Sequence, residues 1–148
     1  MNDRVLPGWL VGWGAFCLFY VGISQALEWT YSGRVFPAEE ALAGRLVSRV
    51  VPPDELLPTA YALAREIADN TSAVSIALTR ALMWRMLGAD HPMEAHRVDS
   101  RCIHWTGRNA DAREGVTSFL EKRPPHFTLS PSTDMPDFYP WWEERRFK

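Results

Sequence analysis

From Val5 to Leu27 the chain carries no charged residue, and the stretch GWLVGWGAFCLFYVGI is apolar enough to be weighed as a membrane segment. This segment decides whether the chain is read as anchored or as globular. Its length, its N-terminal position, and Trp9 and Trp13 near one end favour an anchor. Pro7, Gly8, Gly12, Gly14 and Gly22 oppose it, as does a flank in which Arg4 is offset by Asp3. A signal peptide would need a basic leading region and a small-residue cleavage site, and neither is clear. The segment is therefore expected to be a buried or poorly ordered apolar stretch, and membrane association through residues 5–27 is the alternative.

Read as globular, 148 residues with 47% hydrophobic content suffice for one ordinary domain with a real core. A formal net charge of -2 from nearly balanced acids and bases leaves no electrostatic footprint for nucleic acid or an anionic membrane surface. Cys17 and Cys102 are too few for a disulfide framework and form no CxxC pair, so a reducing cytoplasm is the simpler compartment.

After Gly22, Ile23, Ala26, Leu27 and Thr30 recur at helical spacing and stop at the turn-like Ser32-Gly33. Pro37 then offers a first helical position to AEEALAG, with Glu39 and Glu40 in the first turn, where carboxylates meet the positive end of the helix. The β-branched run Leu46-Val47-Ser48-Arg49-Val50-Val51 stops at Pro52-Pro53 and predicts a strand, the single one expected. Asp54 can cap the next helix, in which Leu56, Ala60, Leu63, Ala64 and Ile67 recur before Asn70. Further helices are expected from about Ser72 to Leu87, from Pro92 to about Trp105 and from about Ala110 to Lys122, punctuated by Gly88, Gly107 and Pro124-Pro125. From Thr128 onward Pro, Ser and Asp break the periodicity, so the tail is expected to be an extended arm. The chain thus reads as mainly α with one short strand.

Taken in order, ALEWTYSGRVFPAEEALAGRLVSRVVPPDELLPTAYALAREIADN is similar to the long signature of the enoyl-CoA hydratase/isomerase (crotonase) family: helix, "TGR"-type turn, "A-EA" helix, "GLV..VV" strand and "P..EL" helix. A second block, DAREGVTSFLEKRPPHF, resembles the family's closing "D..EG..AF.EKR.P.F" pattern and stands at the separation such a chain would give it. The resemblance runs from about Gly22 to Phe127. It implies three regions: residues 1–21, an apolar segment without family counterpart; residues 22–127, the helical C-terminal part of a crotonase-like α/β fold; and residues 128–148, the tail. The family's core β-spiral is absent from this reading. One departure is local: Arg45 stands where the family usually has Gly, with Gly44 one position earlier, which is expected to shift the turn after the helix by a residue.

Crotonase chemistry needs two backbone N–H groups to hold the thioester oxygen as negative charge develops on it, and one or two carboxylates to move protons. In the family these donors and glutamates precede the portion matched here, so the resemblance carries over no catalytic residue. Glu28, Glu39, Glu40, Glu55, Glu66 and Glu94 fall on predicted helices with no motif around them and are expected to be solvated face charges. His91, His96, His104 and His126 form no HExxH or close metal spacing, no GxSxG is present, and the glycines of GWLVGWG follow no predicted strand. No metal and no separate cofactor are expected. The one functional carry-over is in the closing helix, whose "F.EKR" residues lie near the adenine and phosphates of CoA in the family; here these are Phe119 and Lys122, with Arg123 beside them. An aromatic face and an ammonium suit adenine and a ribose phosphate. The bland alternatives are a core position for Phe119, at helical spacing from Val116, and a solvated charge for Lys122.

Ile76, Leu82, Met83, Trp84, Met86 and Leu87, with Ile103 and Trp105, offer more apolar surface than a small bundle can bury. Because the family's last helices pack at a trimer interface, the resemblance implies a homo-oligomer or a mixed trimer with crotonase paralogues. The expected ligand is an acyl-CoA. The resulting reading is a truncated enoyl-CoA hydratase/isomerase-like protein of acyl-CoA and fatty-acid metabolism, without a complete active site. An interaction module that assembles with full-length paralogues is the alternative.

Overall fold

The computed structural model describes residues 20–144 and 146. The chain divides into two compact units, Met1–Leu57 and Pro58–Lys148. Most of the uncharged N-terminal stretch lies outside the described residues. Among those described, no helix is long and apolar enough to cross a membrane.

In the first unit, α1 spans Ile23–Ser32 and buries Ala26 and Trp29. It stops where Gly33 adopts a left-handed φ of 56° and donates its N–H to the Trp29 carbonyl. Helix α2, Ala38–Ala43, follows Pro37 and buries Ala41. The two helices meet through the Trp29 side chain. Its ring stacks on Phe36 with centroids 4.3 Å apart, and its Nε1 donates to Glu40 Oε1 at 2.8 Å. Arg34 grips the same carboxylate with both guanidinium nitrogens and reaches Glu28 at 3.2 Å. Glu40 is therefore no solvated face charge, whereas Glu28, Glu39, Glu55, Glu66 and Glu94 are exposed.

The turn after α2 is not displaced. Arg45 itself takes the left-handed conformation, at φ 62°. Its N–H donates to Leu42 at 3.0 Å and that of Leu46 to Ala41 at 2.8 Å, the paired closure that glycine usually permits. Gly44 is ordinary in its backbone, with φ -77°. It is small for another reason: a Cβ there would stand 2.5 Å from Trp29 Cη2.

The strand expected over Leu46–Val51 does not form, and no strand occurs among the described residues. The N–H groups of Leu46 and Val47 both turn back to Ala41 to close α2, so the run loses its first two ladder donors. A β-branched run expresses its preference only against a neighbouring strand, and among the described residues there is none. Asp54, expected as a helix cap, lies inside a 3-10 turn, Pro53–Glu55.

Helix α3 spans Leu56–Asn70, α4 Ala73–Met86, α5 Pro92–Thr106 and α6 Ala110–Glu121, all close to their expected bounds. Their start signals are local. Ser72 Oγ accepts from the Ser75 N–H, His91 Nδ1 accepts from the Met93 N–H at 3.0 Å, and Pro92 sits in the first turn of α5. Helices α4 and α5 enclose the core of the second unit, Val74, Leu78 and Cys102. Leu82 and Trp105 pack against it, while Ile76, Met83, Trp84, Leu87 and Ile103 remain exposed. The tail has no helix but is not an arm standing clear: Leu129, Met135, Phe138, Tyr139 and Trp141 fold back onto this core. Apolar side chains so near α4 and α5 gain by leaving water, which no local pattern in the tail announces.

Candidate functional site

The candidate site is built on α6 and the turn that leaves it. Asp111, in the first turn, is only 5% exposed. Its Oδ2 accepts from Ser72 Oγ at 2.6 Å, and its Oδ1 from the N–H groups of Thr128 at 2.9 Å and Leu129 at 3.4 Å. One carboxylate thus fixes the start of α6 to the start of α4 and to the returning chain. Three donors satisfy a group that would otherwise be costly to bury.

One turn further on, Glu114 accepts two hydrogen bonds from Arg123, at 2.6 and 2.9 Å, and one from the His126 N–H at 2.7 Å. The Arg123 guanidinium, with the His126 N–H, holds the Glu114 carboxyl down to about 2. Arg123 also donates from Nε to Glu121 at 2.7 Å, and its own pKa moves up in response to both carboxylates. These bonds fold residues 123–126 back along α6.

Between them α6 ends abruptly. Lys122 adopts φ 57°, its N–H donates to Phe119 and that of Arg123 to Ser118 at 3.1 Å. The left-handed residue brings the Lys122 ammonium back over the helix, where Nζ lies 4.8 Å from the centre of the Phe119 ring. Phe119 is 71% exposed, flanked on the same face by exposed Val116 and Leu120. The core position is excluded for Phe119, and the two residues singled out in the sequence are brought together. Arg123 is not available beside them, since its guanidinium is committed to Glu114 and Glu121. Lys122 has no carboxylate partner among the described residues. The arrangement offers an aromatic surface with a cation at its edge.

The histidines are separate. His91 caps α5 and His126 lends only its backbone to Glu114. Among the described residues no group of three His, Cys, Asp or Glu side chains is placed to hold a metal ion. Asp111 and Glu114 were not anticipated as organisers of the site. Both lie in the DAREG block, where their spacing to Arg123 and Thr128 crosses a turn that helical periodicity cannot follow.

Comparison with known proteins bears on the same residues. The family model for Enoyl-CoA hydratase/isomerase matches residues 10–130. The chain belongs to the enoyl-CoA hydratase/isomerase family. The match begins at residue 10, so family likeness reaches into the stretch of residues 1–21 that was read as lacking a counterpart. It also includes α6, Phe119 and Lys122. An enoyl-CoA hydratase from Alternaria alternata is 41% identical over 108 residues, covering 72% of this chain and 36% of that protein. A putative enoyl-CoA hydratase from Thermus thermophilus is 36% identical over 107 residues, covering 72% of this chain and 42% of that protein. Among solved structures, an enoyl-CoA hydratase from Bacillus anthracis superposes with a TM-score of 0.75 at 26% identity, over 84% of this chain and 46% of that one. A probable enoyl-CoA hydratase/isomerase from Mycobacterium abscessus superposes with a TM-score of 0.73 at 28% identity, over 76% and 44%. The chain therefore spans less than half the length of these enoyl-CoA hydratase/isomerase relatives.

Proposed function

We propose that this chain serves acyl-CoA metabolism as a CoA-contacting helical portion of an enoyl-CoA hydratase/isomerase, with Phe119 against the adenine and Lys122 on a phosphate of the nucleotide. The observation that carries this reading is the pairing of an exposed aromatic face with an uncommitted ammonium 4.8 Å from its centre, at the helix exit where the family resemblance implies CoA. A charge-assisted contact from Lys122 to phosphate would add orientation to the stacking of the base. Glu114 and Glu121, the carboxylates of α6 nearest its exit, are both paired with the Arg123 guanidinium. CoA is the ligand's own handle, and the reading assigns no separate cofactor. Compartment follows the cysteine usage, with the reducing cytoplasm as the proposed location.

By this reading these 148 residues bind CoA without turning over an enoyl-CoA. Losing an oxyanion donor costs ~10²–10³ in rate, and losing a positioned acid or base about 10²–10⁴ more. The test is hydration of crotonyl-CoA by the purified chain, from a host lacking its own crotonases. Turnover above buffer that co-purifies with the homogeneous chain would overturn it.

A second reading, a module that assembles with itself or with full-length paralogues, is favoured by one specific feature. No residue of α3 is buried, although Leu56, Leu63 and Ile67 share one face of it. A helix of this length gains most of its stability by packing such a face. Sedimentation of the chain alone and with a paralogue distinguishes the two, a single monomeric species in both cases removing the assembly reading.

A further inference from the structure

A cavity of about 440 Å³ opens where α5 ends, lined by Arg101, His104, Trp105, Arg108, Asn109 and Phe138. Its volume falls in the range that small-molecule sites occupy. No carboxylate lines it. Arg101, His104 and Trp105 come from the end of α5, Arg108 and Asn109 from the turn that follows, and Phe138 from the returning tail. Arg101, His104 and Arg108 stand three and four positions apart, the spacing that keeps side chains on one helical face, so all three border one opening. Phe138 lies past residue 130, where the family match ends, so one wall comes from outside the family-matched chain.

The cations are uncommitted. Among the described residues, ion pairs engage Arg34, Arg85, Arg97 and Arg123, and none engages Arg101, His104 or Arg108. Arg101 instead lies over the Phe138 ring, with Cζ 4.3 Å from its centre. A guanidinium held on a ring through its face keeps its charge, and the N–H donors at its edge, for an anion. The contact also orders a long side chain in advance, so less rotamer freedom is lost when a ligand arrives. The carbonyl end of α5 opposes an anion, but two guanidinium charges outweigh the roughly half charge of a helix end. That end is also closed: the N–H of Gly107 donates to Ile103 at 2.9 Å, that of Arg108 to Trp105 at 3.2 Å and that of Asn109 to Thr106 at 3.0 Å.

Phosphate is the anion that this donor set fits, since guanidinium forks match its oxygens and an imidazole N–H adds a further bond. The cavity holds more than a free phosphate, and the aromatic side chains offer a planar group a surface. We propose that this cavity binds a mononucleotide, with Arg101, Arg108 and His104 on its phosphate and Trp105 and Phe138 walling its base. The site shares no residue with the exit of α6, and it stands whether or not Phe119 and Lys122 contact CoA.

The test keeps the two apart by using the full chain with Phe119→Ala and Lys122→Ala, titrated calorimetrically with adenosine monophosphate, inorganic phosphate and adenosine. A single adenosine monophosphate should bind per chain, inorganic phosphate should compete with it, and adenosine should bind at least about tenfold more weakly. Adding Arg108→Gln or Arg101→Gln should weaken the nucleotide about tenfold, as expected when a charge-assisted hydrogen bond is lost. No nucleotide binding, adenosine binding as tight as the nucleotide, or an affinity unchanged by Arg108→Gln would overturn the site. Arg101 also supports Phe138, so if Arg101→Gln does not fold, Arg108→Gln, at an exposed turn position, decides alone.

Discussion

The Trp29 indole lies so close to Gly44 that a methyl group on that glycine would meet Cη2 at 2.5 Å and Cζ2 at 2.8 Å. Gly44 and Arg45 thus divide two tasks that one glycine often performs. Gly44 provides the room, and Arg45 provides the left-handed turn at φ 62°.

Opposite effects of two neighbouring substitutions follow. Gly44→Ala should destabilise the first unit by about 1–3 kcal/mol, because an added carbon must displace a stacked, hydrogen-bonded ring. Arg45→Gly should stabilise it by about 1 kcal/mol, since an L side chain pays roughly that amount to sit in the left-handed region. Urea unfolding followed by circular dichroism measures both. Destabilisation by Arg45→Gly would contradict the assignment.

Acid sensitivity should come from two carboxylates. Arg34, aided by the Trp29 N–H, holds Glu40 down to about 2, and Arg123 does the same for Glu114. Both folded values lie below the ordinary 4.5. Their contribution is therefore fully present above pH 4.5 and is lost as pH falls toward about 2. Melting temperature should fall through this window in the native chain, and less steeply in Glu40→Gln and Glu114→Gln. Parallel curves for all three proteins would sink this prediction.

Asp111 should be the most sensitive polar position of the second unit. Asp111→Ala leaves the Ser72 hydroxyl and the Thr128 and Leu129 amides without their acceptor. A cost of about 3 kcal/mol is expected, while Asp111→Asn, which keeps one oxygen, should lose roughly half as much. Chemical denaturation of both variants checks this, equal losses arguing against a hydrogen-bonding role.

The helices were legible because their signals are local. Pro37 and Pro92 mark starts, Gly33 and Gly107 mark ends, and apolar residues recur at three and four positions between them. The run at Leu46 misled because strand formation depends on a partner strand, which a single segment's composition cannot report. The Trp29–Glu40 bond, the Asp111 tie and the packing of the tail join residues far apart in the chain, and no spacing rule reaches them. Of the candidate site, the closing motif proposes Phe119 and Lys122 and says nothing of their geometry. That they touch, and that Arg123 is committed elsewhere, depends on the left-handed conformation of Lys122.

Calorimetric titration of the full chain with CoA, set beside Phe119→Ala, Lys122→Ala and dephospho-CoA, decides whether the exit of α6 contacts CoA. Saturable binding is predicted, weakened about tenfold by loss of the Lys122 charge, as expected for a charge-assisted hydrogen bond. Removing the ribose phosphate from the ligand should cost a similar factor and add little to Lys122→Ala. Unchanged CoA affinity in Lys122→Ala, or no binding by the native chain, would contradict the account.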